Sequence, residues 1–118
     1  MTQFKMYING NELIVETVSN SSSEALIRDL QKSDIKLEMK DYANMEKFGV
    51  LEHSYPRNDE YFKTTCRDVI LYEGNILAIY YNPNSWNFTK IGRIININDE
   101  EYKEVLGNGD VTALLSLD

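Results

Sequence analysis

Residues 68–94, DVILYEGNILAIYYNPNSWNFTKIGRI, constrain this chain more than any other stretch. Residues 68–72 and 76–81 are rich in β-branched and aromatic side chains, with Glu73, Gly74 and Asn75 between them. Such side chains pack well on a pleated surface, and glycine accepts the positive φ that a tight turn demands. Residues 82–87 read as a polar loop around Trp86, and residues 90–97 as a third strand. Strands joined by short turns pair antiparallel, so the stretch predicts a meander.

The flanking sequence extends the sheet on both sides. Phe4, Met6 and Ile8 alternate with Lys5 and Tyr7, and Leu13 and Val15 alternate with Ile14 and Glu16. Asn9-Gly10 between two such runs is a strong hairpin signal. Ser21 and Glu24 have the spacing of a capping box, and Leu26, Ile27 and Leu30 share one face of a helix over residues 22–31. Ile35, Leu37 and Met39 alternate with charged residues, which predicts a half-buried strand. Residues 41–62 have no clean period and read as a long excursion with one or two short strands near 48–51. Asn98 and Glu101 open a second helix over residues 99–106, Gly107-Asn108-Gly109 ends it, and residues 111–117 form a last strand. The expected architecture is mostly β: about eight antiparallel strands in a closed barrel, with two short helices. Closure removes the exposed edges that an open sheet leaves.

At 118 residues the chain suits a single domain, 1–118, whose core needs no disulfide or metal staple. Cys66 has no intrachain partner, and His53 is the one histidine, too few for a zinc site. No metal and no cofactor is expected. The net charge is −7, and no short window concentrates lysine and arginine. That argues against non-specific nucleic-acid binding and against an anionic membrane surface, both of which rest on clustered positive charge. Residues 1–10 lack the apolar core of a secretory leader, and no apolar run approaches the ~18 residues of a membrane span. The expectation is a soluble, cytoplasmic protein of unassigned oligomeric state.

Four pieces then resemble one family. They are the Asn9-Gly10 hairpin, the Asp41-Tyr42 to Glu46-Lys47-x-Gly49 segment, the hairpin from Asp68-Val69-Ile70 to Ala78-Ile79-Tyr80-Tyr81, and Ile91-Gly92-Arg93-Ile94. The ending Gly109-Asp110-Val111-Thr112 fits as well. In this order and spacing they resemble the bacterial and archaeal cyclophilin-like family of small β-barrel domains, over nearly the whole chain. The resemblance implies an eight-stranded barrel capped by helices and implies little about activity. The chain departs from the family at Tyr72-Glu73-Gly74, at Glu52-His53 and at residues 61–66.

Prolyl isomerisation crosses a barrier of ~18–20 kcal/mol and needs a donor that polarises the prolyl amide. The arginine and glutamine signature of true cyclophilins is absent here. Arg57 and Arg93 are the arginines placed near plausible barrel rims. Candidate ligand-binding residues are Tyr42, Glu46, His53, Tyr80, Trp86 and Arg93; no catalytic residue is assigned. Aromatic side chains with polar tips suit a shallow recognition site, although at least half of them are expected to fill the barrel. Glu46 and Lys47 read as a charge pair pinning the long loop, with part of a ligand rim as the alternative. Arg67 could lower the Cys66 thiol pKa, but a structural cysteine is the expected role. The best functional reading is a domain that binds a small molecule or peptide without efficient catalysis. A divergent peptidyl-prolyl isomerase and a structural or oligomerisation module remain alternatives.

Overall fold

A computed structural model describes residues 2–118; Met1, where the leader reading begins, lies outside them. Nine strands and two helices follow in the order β1 (Gln3–Ile8), β2 (Asn11–Thr17), α1 (Ser21–Lys32), β3 (Ile35–Tyr42), β4 (Glu46–Val50), β5 (Glu60–Lys63), β6 (Asp68–Tyr72), β7 (Ile76–Tyr80), β8 (Ser85–Ile94), α2 (Asp99–Leu106) and β9 (Val111–Ser116). Every pairing is antiparallel. The order β2-β1-β9-β3-β4-β7-β6-β8 returns to β2, so eight strands close a barrel, and β5 is an extra strand hung on β8.

Alternation sorts side chains between the lumen and the outer wall. Phe4, Met6 and Ile8 on β1 meet Leu13 and Val15 on β2 inside, across the Asn9-Gly10 turn. Both turn residues have positive φ, 50° and 77°, as the tight hairpin turn matched to strand twist requires. Leu37, Met39, Leu77, Ile79 and Leu115 continue the lumen, which is packed rather than hollow. The helices plug it through Leu26 and Leu30 of α1 and Tyr102 and Leu106 of α2. The cap of α1 is one residue earlier than Ser21 suggests: Asn20 accepts from the Ser23 amide at 2.8 Å, and the Ser23 hydroxyl completes the box. Asn98 caps α2 as expected, accepting from the Glu101 amide at 2.8 Å.

Closure takes place at Gly92. There β8 meets β2, with Gly92 opposite Thr17 and Ile94 opposite Val15. A Cβ on Gly92 would lie 2.3 Å from the Glu16 carbonyl oxygen, so only glycine allows this approach.

Two segments differ from the sequence expectation. Residues 85–87 belong to β8, which runs for ten residues and ends at Ile94, not Ile97. Their partner is β5, hidden within the aperiodic excursion; Phe62 pairs with Trp86 and Glu60 with Phe88. The cause is a bulge. Val69 pairs with Gly92 but Ile70 pairs with Lys90, leaving Ile91 as an extra residue. A bulge bends its strand and shifts the alternation beyond it by one residue. Gly92 and Ile94 share the inward register, and an unbroken strand would send Phe88 and Trp86 inward as well. The extra residue turns both to the outer wall, and the N-terminal half of β8 leaves the barrel to pair with β5.

Candidate functional site

The outer wall of β4, β7, β6 and β8 carries a second apolar cluster, separate from the lumen. Ile70, Ala78, Tyr80 and Phe88 are its buried members, with Met45, Phe48, Phe62 and Tyr72 against them. The register brings them together. Glu46 pairs with Tyr80, Phe48 with Ala78 and Tyr72 with Ile76, so each pair points to the same side of the sheet. Tyr42 pairs with Glu46 across the β3–β4 turn and joins the same face.

These residues surround an open cleft of about 350 Å³, lined by Tyr42, Met45, Glu46, Phe48, Tyr72, Ile76, Tyr80, Asn84, Trp86 and Phe88. Phe88 is its hub. The Phe88 ring centroid lies 5.7 Å from Tyr80, 6.2 Å from Tyr72 and 5.8 Å from Phe62, in tilted and edge-to-face arrangements. Tyr42 and Phe48 meet edge to face at 6.2 Å. Such geometry suits ring quadrupoles and holds the walls in place. Tyr80 is 1% exposed although it faces outward, because the β5–β8 arm covers it. Its hydroxyl accepts from the Asn84 amide at 3.4 Å. Trp86, at 53% exposed, forms the rim.

Among the described residues, Glu46 is the one charged side chain lining the cleft. Burial holds its carboxyl pKa above the ordinary 4.5; the nearby Tyr80 hydroxyl opposes that rise and the negative charge of Asp41 adds to it. Burial likewise raises the Tyr80 phenol, which stays protonated and can donate or accept.

A family model described as the cyclophilin-like family matches residues 6–116, from β1 to the last residue of β9. The chain belongs to the cyclophilin-like family. No curated protein and no solved structure matches it. The closed barrel is the architecture that the sequence resemblance implied.

Four of the six candidate residues of this cyclophilin-like domain, Tyr42, Glu46, Tyr80 and Trp86, border one cleft. The other two lie elsewhere. His53 is exposed and borders a separate hollow beside Asp29, Lys32 and Tyr55. Arg93 borders a larger hollow of about 840 Å³ near α1, with Arg28, Lys63 and Lys90 and with Glu16 and Asp68. Cations there are held by carboxylates: Lys90 meets Glu60, outside the hollow, at 3.2 Å, and Arg93 approaches Asp68 at 4.0 Å.

Lys47 does not pair with Glu46. It is 1% exposed, meets Asp41 at 3.2 Å, and donates to the Gly107 and Gly109 carbonyls at 3.0 and 2.6 Å. It therefore pins the α2–β9 turn from the opposite side of the wall. Tyr81 also lies outside the cleft, donating its hydroxyl to Asp41. Burial pushes the Cys66 thiol up, outweighing Arg67, whose guanidinium is held by Asp99 at 2.7 Å. Phe48 and Phe88 were not singled out from sequence. The spacing of Trp86 and Phe88 was the available signal, and it was obscured where residues 82–87 read as loop.

Among the described residues, no three His, Cys, Asp or Glu side chains group so as to hold a metal ion. No helix among the described residues is long and apolar enough to cross a membrane.

Proposed function

We propose that this cyclophilin-like domain binds a small molecule or peptide in the outer-wall cleft and does not catalyse efficiently. The observation that carries the reading is the cleft itself: apolar and aromatic walls, with one carboxyl, one buried phenol and one amide converging on them. Ligand sites are commonly concave and apolar, with a few placed polar groups that fix orientation. The same cleft supports binding over prolyl isomerisation, since no arginine lines it. Arg57 is held by Asp59 at 2.5 Å, and Arg67 donates to Asp99 and to the carbonyls of Ile94 and Ile97. Without a convergent donor, stabilisation of the twisted prolyl amide is lost, typically costing about 10²–10³ in rate.

The test is a nuclear magnetic resonance screen of a fragment and short-peptide panel, with a proline-peptide turnover assay in parallel. Saturable shifts confined to Tyr42, Glu46, Tyr80, Trp86 and their strand neighbours are expected, with no turnover. Saturable binding mapping only elsewhere, or no binding across the panel, would overturn the reading. Turnover abolished by Arg57→Ala or Arg93→Ala would promote the isomerase.

A further inference from the structure

The cleft combines one negative charge with several rings. No lysine or arginine lines it, and Glu46 is in none of the ion pairs formed among the described residues. Lys47, its neighbour in sequence, is engaged with Asp41 on the other side of the wall. Around the carboxylate stand Tyr42, Phe48, Tyr80, Trp86 and the buried Phe88. Ring faces carry negative potential, so an organic cation gains from rings and carboxylate together, whereas an anion is opposed by both. A half-buried carboxylate without a cation is unfavourable, and a cationic ligand would relieve that.

Two further observations narrow the ligand. The cleft offers too few oxygen donors to replace the shell of six to eight that a calcium-like ion requires. Its volume of about 350 Å³ is near the lower end of small-ligand sites, which suits a compact head group better than a peptide chain. The net charge of −7 draws cations toward the surface at long range.

We infer that the cleft binds a small organic ammonium ion, a methylated or quaternary amine, with Glu46 as its counter-ion and the exposed rings of Tyr42 and Trp86 as walls. The inference rests on the reading of the cleft as a binding site, and its test separates the two. Choline and its neutral carbon isostere, dimethylbutanol, are titrated against the full chain, followed by Trp86 fluorescence and by resonance shifts of the cleft residues. Choline is expected to bind at least about tenfold more tightly than the isostere. Glu46→Gln should shrink that preference to the part the rings supply, and Tyr42→Ala should weaken choline binding while sparing the fold. The comparison on the unaltered protein needs no variant to fold. Equal binding of choline and dimethylbutanol overturns the ammonium inference and leaves the binding reading standing. No cleft response to choline also overturns it, while the fragment panel independently decides the broader reading. Tighter capture of a trimethyllysine peptide than of choline would overturn the free-amine assignment.

Discussion

Glu46 and Lys47 are consecutive in β4 and face opposite sides of the barrel wall. Glu46 lines the open cleft outside, and Lys47 lies buried within, held by Asp41 and by two carbonyls of the α2–β9 turn. Strand alternation alone separates them. The consequence is a division of labour: the lysine ties the end of the barrel together, and the carboxylate is left without an ion-pair partner among the described residues.

That division predicts the effect of pH on stability. The folded Glu46 carboxyl has a raised pKa, first because burial disfavours its charge and then because Asp41 is near; the Tyr80 hydroxyl opposes the rise. A raised folded pKa means that the protein is favoured while Glu46 is protonated and loses that advantage as pH rises through the folded value. Glu46→Gln should therefore be more stable than the parent at neutral pH. Urea titrations at a series of pH values should find the gain shrinking on acidification and gone below the ordinary carboxyl value of 4.5. A variant less stable at neutral pH would contradict this account.

The inner side predicts the opposite sign. The Tyr81 hydroxyl, and then Lys47, hold the Asp41 carboxyl below its ordinary 3.8. Its contribution is present above that value and lost as pH falls through the folded pKa. Asp41→Asn leaves the buried ammonium without a counter-ion, and should cost about 2–3 kcal/mol by chemical denaturation.

Gly92→Ala tests barrel closure. The added Cβ would meet backbone, the Glu16 carbonyl, which cannot swing aside as a side chain would. A loss of about 3 kcal/mol or more is expected, with amide exchange rising first in the β2–β8 pairing. Wild-type protection there would show that β8 can close on β2 without a glycine.

Trp86→Ala separates rim from core. A half-exposed tryptophan should cost well under the ~3–5 kcal/mol of a buried aromatic, while ligand capture in the cleft falls. Thermal denaturation and a binding titration on the same sample read both quantities. A core-sized loss of stability would make Trp86 a packing residue and remove the rim.

Short-range chemistry determined much of this protein from sequence alone. Asn9-Gly10 specifies its hairpin, the alternation in β1, β2 and β3 selects the lumen-facing residues, and the apolar faces of α1 and α2 are written in their spacing. These features depend on neighbours a few residues apart, through backbone sterics and the strand and helix periods. The tertiary structure alone decided where the cleft lies. Phe88 and Trp86 reach the outer wall because β8 bulges at Ile91, and the bulge exists only in the pairing with Val69 and Ile70. Strand β5 is a strand only because β8 offers it an edge, and Gly92 is needed only because β2, far away in the chain, packs against it. Pairing between distant segments leaves no local period, so the outward turn of those two aromatic rings was settled by the closed barrel.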